Sequence, residues 1–246
     1  MSHAERPPER AIHLRPTAEL ARRVLLPGDP GRALHLAQTL LAEPRMFNHH
    51  RGLWGYTGAA RDGEPLTIQA TGMGGPSAAI VLHELIGLGA RSAIRVGTCG
   101  ALTASLQLGE LVIAREAICL DGTSRALGCS GRVAAHQALT ESLIANAPGA
   151  RAGAVASVDL FYDDRRAAPG AREAARADPP ALAIEMEAAA LFAVGARAGV
   201  AVACALAVAD IFDAHGARTR IAERALLAAA ERMGAAALAA LQRDVT

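Results

Sequence analysis

The sequence predicts an α/β protein, read as a single three-layer domain over 1–246 with a central mixed, largely parallel β-sheet flanked by helices. Three observations predict it. Short apolar runs end repeatedly in glycine-rich turns and then pass into helical patterns. A chain of 246 residues is long enough for one sizeable core and carries no internal repeat or compositional break that would divide it. Hydrophobic residues make up 52% and charged residues 20%, the balance of a folded soluble chain rather than a disordered one.

The elements follow in order. Val24–Leu26 reads as a strand that runs into PGDPGR and then the helical ALHLAQTLLA. Leu66–Ala70 is a second strand, followed by TGMGGPS and the helix AAIVLHELIGLG. Pro30 and Pro76 suit the first turn of each helix, where the missing N–H has no intrahelical partner to lose. Ala93–Val96 is a third strand leading into GTCGAL, and Val200–Ala209 is a fourth that ends on Asp210. Between Tyr162 and Pro180 charge, alanine and proline dominate, which predicts a mobile exposed segment with one short helix. AIEMEAAALF, residues 183–192, reads as the start of a buried helix, and the stretch from about Thr219 to Leu241 as a closing one. In a sheet of this kind, ligands bind at the carboxyl ends of the strands.

Composition excludes several chemistries. All 25 basic residues are arginine, so a P-loop lysine, a kinase lysine and a lysine Schiff base are absent together. Arginine still offers a planar fork for phosphate. A net charge of +1 and 3% aromatics give neither the field nor the stacking surface of a nucleic-acid binder. The run Ala198–Ala209, about twelve residues, falls short of the roughly 20 needed to span a bilayer. Four scattered cysteines, with no C-x-x-C pair, and the polar start MSHAERPPER predict a reduced cytoplasmic protein.

Familiar motifs mostly fail. In Gly72-Met-Gly-Gly-Pro-Ser77 the third glycine of a dinucleotide fingerprint is replaced by Ser77. No G-x-S-x-G and no H-E-x-x-H occurs, and His49-His50 reads as a solvated turn pair; no metal site is expected. Two arginine-bearing segments remain as anion sites, Gly28-Asp-Pro-Gly-Arg32 and Arg95-Val-Gly-Thr98. Arg95 stands in an otherwise apolar strand, where a buried guanidinium needs an anionic partner. Glu185 and Glu187 pose the converse problem, two carboxylates in an apolar segment. On a helix they would lie about 200° apart and face opposite ways.

VLLPGDPGRA, NHHRGLWGYTG, TGMGGPSAAIVLHEL, IRVGTCGAL, SVDLFY and IEMEAAALF, in this order and spacing, resemble the nucleoside phosphorylase family of hexameric bacterial purine nucleoside phosphorylases and uridine phosphorylases. The resemblance runs from His13 to the closing helix. It implies phosphate held by Gly28, Arg32, Arg95 and Thr98, with Arg51 donated by a neighbouring subunit. It places Glu187, Met186 and Met73 at the ribose, with His13 reaching the 5′ side from the partner chain. Cys99, Gly100, Phe161, Ile184 and Glu185 fall on the base side, Glu185 as pocket wall or structural acceptor. Asp210 is implied as the acid for a purine N7, assisted by Arg224, although Ala209 stands where relatives often carry serine. The implied assembly is a homohexamer built as a trimer of dimers, acting on a nucleoside with inorganic phosphate as co-substrate and no other cofactor. The uracil-reading Gln and Arg that uridine-type members carry after the Phe-Tyr pair are missing after Phe161-Tyr162, which favours purines. Uridine phosphorylase, a water-using nucleosidase and a non-catalytic module on the same fold are the alternatives.

Overall fold

In the strand β1 (Arg23–Leu26), Val24 and Leu26 point to one face of the sheet and Leu25 to the other, and all three are fully buried. The same alternation on every central strand generates two apolar layers, one on each side of a single sheet. The computed structural model describes residues 11–162, 169–213 and 217–242. The polar start at residues 1–10 and part of the charged segment, residues 163–168, therefore lie outside the described residues.

After β1 come α1 (Pro30–Leu40), β2 (Leu41–Asn48), β3 (Gly55–Ala60), β4 (Pro65–Gln69), α2 (Gly75–Gly87) and β5 (Ser92–Ala101). The second half adds β6 (Leu111–Cys119), α3 (Gly122–Ala126), β7 (Arg132–Ala134), α4 (Gln137–Ala145), β8 (Arg151–Ser157) and α5 (Pro169–Arg176). It closes with β9 (Ala183–Glu185), α6 (Ala188–Ala198), β10 (Ala201–Phe212), β11 (Arg218–Arg220) and α7 (Glu223–Leu241).

The centre of the sheet, β4-β1-β5-β10, is parallel, and the antiparallel pairs β3–β4, β2–β3 and β10–β11 extend it outward. Beyond β10 the order runs β6, β8, β9 and returns to β5, so five strands close a ring. Helices α2, α3 and α6 cover one face; α1, α4 and α7 cover the other. This is the expected three-layer α/β architecture. None of the helices among the described residues is long and apolar enough to cross a membrane.

Local chemistry accounts for the boundaries. Asp29 caps α1 by accepting the Arg32 N–H at 2.7 Å, and Pro30 occupies the first helical position. Its buried stripe, Ala33, Leu36, Ala37 and Leu40, packs on α7 at Gly234, where a Cβ would stand 2.7 Å from Leu36 Cδ2. A side chain there would push the two helices apart.

Three predicted elements differ. β5 runs on to Ala101, so Gly97 and Thr98 are strand residues rather than a loop, paired with Leu206 and Ala207. The closing helix begins at Glu223, because Arg218–Arg220 form a hairpin strand against the end of β10. AIEMEAAALF is a junction: Ala183–Glu185 are strand and the helix starts only at Ala188. The reason is the neighbouring chain, since Ile184 and Ala183 find ladder partners on β5 and β8 that outweigh local helix propensity.

Candidate active site

The carboxyl ends of β1, β4, β5, β9 and β10 meet on one side of the sheet, and that is where most of the predicted residues gather. At its centre is Arg95, which is 3% exposed. Residues 95 and 97 share a strand face, and the Arg95 guanidinium lies directly over Gly97. A Cβ on Gly97 would stand 2.6 Å from Arg95 Cζ, so only glycine leaves the guanidinium its berth.

Arg95 donates from Nε to Glu185 Oε2 at 3.1 Å and from Nη2 to Glu187 Oε2. The strand-to-helix corner makes this possible. It turns both carboxylates toward the same cation, and the opposed faces expected of a helix do not exist here. Burial would lower the Arg95 guanidinium, yet Glu187 and Glu185 overcome it and raise it above its ordinary value. Burial pushes the Glu185 carboxyl up, against the opposing pull of Arg95.

Glu185 has no face to spare. Besides Arg95 it accepts the Ser157 hydroxyl, the Glu187 N–H at 2.9 Å and the Ala188 N–H at 3.0 Å. These bonds make it a structural acceptor that fixes Arg95 and receives the first N–H of α6. Glu187 is less committed. One oxygen faces Arg95, the other accepts the Gly74 N–H, and further lone pairs remain for hydroxyl donors.

Arg95 Nη1 is buried and has no hydrogen-bond partner. It points toward Gly28, where an added Cβ would sit 3.9 Å away. Buried guanidinium nitrogens are rarely left bare, because a lost hydrogen bond to a charged group costs about 1–3 kcal/mol or more. Arg32, half-buried on the first turn of α1, approaches the same place. Burial, together with Arg95 and Arg220, holds its guanidinium below the ordinary value despite Asp29. Several cations facing one gap suit an anion. Thr98 directly follows Gly97 and is half-buried.

Asp210 marks the other end. A bulge at Ala209 breaks the register between Val208 and Asp210, so Asp210 pairs with Gly100 on β5 and with Arg220 on β11. Gly100 is flanked by Ile184 and Phe212, the nearest atoms a Cβ there would meet, at 3.4 and 3.5 Å. Asp210 Oδ1 accepts from Arg218 Nε at 2.7 Å and from Arg220 Nη1 at 3.2 Å, while Oδ2 accepts from Arg220 at 3.1 Å. Arg224, the expected helper, is an exposed residue of the first turn of α7, and the arginines hydrogen-bonded to the carboxylate are Arg218 and Arg220 of the β11 hairpin. Phe161 is 51% exposed, with the Arg218 guanidinium over its ring at 4.6 Å. The Cys99 thiol is buried and faces the Ala207 carbonyl, and burial pushes it up. Met186 is half-buried at the corner, and Met73 is 87% exposed.

His13 and Arg51 line a surface pocket with Leu53, Ser77, Ile80 and Val81. Glu84 anchors the first of them, accepting the His13 ring Nδ1–H at 2.7 Å and the backbone N–H groups of Ile12, His13 and Leu14. Burial pushes the Glu84 carboxyl up, but these hydrogen bonds win and hold it below its ordinary value. Arg51 is exposed and takes a left-handed conformation at φ 60°. Sequence reasoning missed Ser157, Glu84, Arg218, Arg220, Phe212 and the steric role of Gly97. Ser157 carried a signal as the first residue of SVDLFY, and Glu84 and Gly97 stand within TGMGGPSAAIVLHEL and IRVGTCGAL.

Known sequences resemble this chain over most of its length. The chain is 37% identical to a DeoD-type purine nucleoside phosphorylase of Geobacillus kaustophilus over 202 residues, 79% of this chain and 83% of that one. It is 39% identical to its namesake from Oceanobacillus iheyensis over 201 residues (78% and 83%), and 36% to that from Clostridium beijerinckii over 213 (82% and 86%). The profile of the phosphorylase superfamily matches residues 22–242, a span that takes in every strand end described above, and the chain belongs to that superfamily.

Proposed function

We propose that the protein is a purine nucleoside phosphorylase, converting purine ribo- or deoxyribonucleosides and inorganic phosphate to free base and pentose 1-phosphate. One observation carries the reading. Arg95 binds the proposed sugar acceptor, Glu187, with one nitrogen and keeps another buried, bare and aimed at Gly28. A single guanidinium thus links a sugar subsite to an anion subsite, as a reaction between a nucleoside and phosphate needs. The names of the relatives point the same way.

In this reading phosphate sits among Gly28, Arg32, Arg95 and Thr98. Glu187 accepts from the sugar hydroxyls beside Met186 and Met73, and Phe161, Gly100, Ile184 and Asp210 surround the base. Phosphate attacks C1′ as the glycosidic bond breaks through an oxocarbenium-like transition state, and the anion below the ring stabilises the developing positive charge. To pass a proton to the departing base, Asp210 must first release an arginine and take up a proton from solvent or with the incoming phosphate. His13 and Arg51 complete the site of a second copy, so the working unit is at least a dimer and, by family likeness, a hexamer. Four free cysteines suit a reducing compartment such as the cytoplasm.

The test is incubation with inosine, guanosine, adenosine and uridine, with and without phosphate, following free base. The expected outcome is base release from purine nucleosides that stops when phosphate is withheld. Phosphate-independent release would make the protein a nucleosidase, and turnover of uridine alone would overturn the purine assignment.

A further inference from the structure

We propose that Asn48 is a positioning residue for the shared site: its side-chain amide sets His13 and Arg51 in one fixed relation, so that both reach the neighbouring copy together. The inference rests on the phosphorylase reading above and on the donation of those two residues to a second copy. Asn48 ends β2, is fully buried, and does not itself line the pocket that His13 and Arg51 share. Its Oδ1 accepts the Arg15 N–H at 2.9 Å and the His50 N–H at 3.3 Å. Its Nδ2 donates to the Leu53 carbonyl at 2.6 Å and to the His50 carbonyl at 3.4 Å. The amide is therefore fully used, with two bonds accepted and two donated. Turned over, it would set its NH2 against two N–H groups and its oxygen against two carbonyls, so its partners fix the orientation.

These bonds join two segments that are far apart in sequence. Arg15 lies two residues beyond His13, and the turn at residues 49–53 carries Arg51. A second tie runs directly between the segments, from the His50 ring Nδ1–H to the His13 carbonyl at 3.0 Å. The turn needs such support. Arg51 at φ 60° and Gly52 at φ 71° are consecutive left-handed residues, and a side chain larger than glycine keeps that shape only where its surroundings impose it. At the end of the turn, the Leu53 carbonyl takes a second amide donor, Gln69 Nε2, at 2.9 Å. The other segment is anchored through Glu84, which accepts the His13 ring. Asparagine suits the place between them because it can accept and donate at once. Aspartate would keep the acceptor and lose both donors, and alanine would lose all four bonds.

The experiment has two arms. The first measures the KM for phosphate at saturating nucleoside in the wild-type protein, Asn48→Ala, Arg51→Ala and the double variant. Asn48→Ala should raise that KM roughly tenfold with a smaller change in kcat, because a displaced arginine holds the anion less well. The double variant should bind phosphate no worse than Arg51→Ala alone, since Asn48 acts there through Arg51. Asn48→Asp keeps the volume and the acceptor oxygen, and takes the alanine's place if that chain does not fold. The second arm mixes Asn48→Ala chains with Asp210→Asn chains, beside a control of Arg51→Ala with Asp210→Asn. Activity should return in both mixtures, because a misplaced Arg51 harms only the neighbour's site. Independent effects on phosphate KM in the double variant would overturn the inference, as would recovery in the control mixture alone. No recovery in the control would instead strike the sharing of sites, and the first arm would still decide whether Asn48 acts through Arg51. Were no nucleoside cleaved, the phosphorylase reading would fall, and calorimetric titration of the same variants with inorganic phosphate would replace KM.

Discussion

At Arg95, one side chain meets three demands that come from different parts of the chain. It neutralises Glu185 and Glu187, fills the space above Gly97, and leaves Nη1 bare beside Gly28. Gly97→Ala tests the arrangement with one carbon. Cβ would have to occupy the guanidinium's place, and overpacking of this kind costs about 1–3 kcal/mol. Chemical denaturation should show that loss, and the KM for phosphate should rise roughly tenfold, matching about 1.4 kcal/mol of weakened binding. Unchanged phosphate kinetics would separate Arg95 from the anion subsite. Both halves of this cluster were visible in the sequence: a buried arginine wanting an anion, and a buried carboxylate pair wanting a partner. What hid their union was the separation of 90 positions from Arg95 to Glu185, together with the helix read into residues 183–192. The helix reading puts Glu187 and Glu185 on opposite faces, the family resemblance supplies the sugar as the partner of Glu187, and nothing local links either carboxylate to Arg95. Gly97 was legible as a glycine beside an arginine, but its steric duty appears only once the strand face is known.

At the scale of elements, the site is assembled by irregularities in otherwise plain strands. The bulge at Ala209 redirects Asp210, and the strand–helix corner at Met186 redirects two glutamates. Strand and helix cores were readable from apolar patterning, whereas these breaks depend on partners that local sequence does not name. The same holds for β11, of which Thr219 and Arg220 fall within the helix expected from about Thr219, so the hairpin that carries the two arginines on Asp210 does not show in local patterning. Away from the site, the hairpin between β3 and β4 is tied to the start of β1 by Arg23, which grips Asp62 at 2.7 and 3.1 Å. That hydrogen-bonded fork lowers the Asp62 carboxyl to about 2. A depressed carboxyl stabilises the fold above its unfolded value and stops doing so as pH falls through the folded one. Asp62→Asn should therefore cost about 1–2 kcal/mol at pH 7, with the gap between variant and wild type narrowing from about pH 4 toward 2. A gap that stays constant over that range in denaturant titrations would remove the ion pair from the account.

For the whole molecule, the proposed role of His13 and Arg51 in a second copy's site predicts complementation between chains. Arg51→Ala and Asp210→Asn chains, each poorly active alone, should regain activity after subunit mixing. In randomly formed dimers about a quarter of the sites would carry neither change. No recovery on mixing would mean that each chain works with its own residues. The ring of β5, β10, β6, β8 and β9 has a consequence for how this protein breathes. A sheet with a free edge can shed its outermost strand while the rest persists, but a closed circle offers no outermost strand. Amide protons in that circle should exchange with solvent only through global opening, more slowly than those of the β2–β3 edge. The floor beneath Arg95 and Asp210 would then stay shut while the rim of the pocket moves.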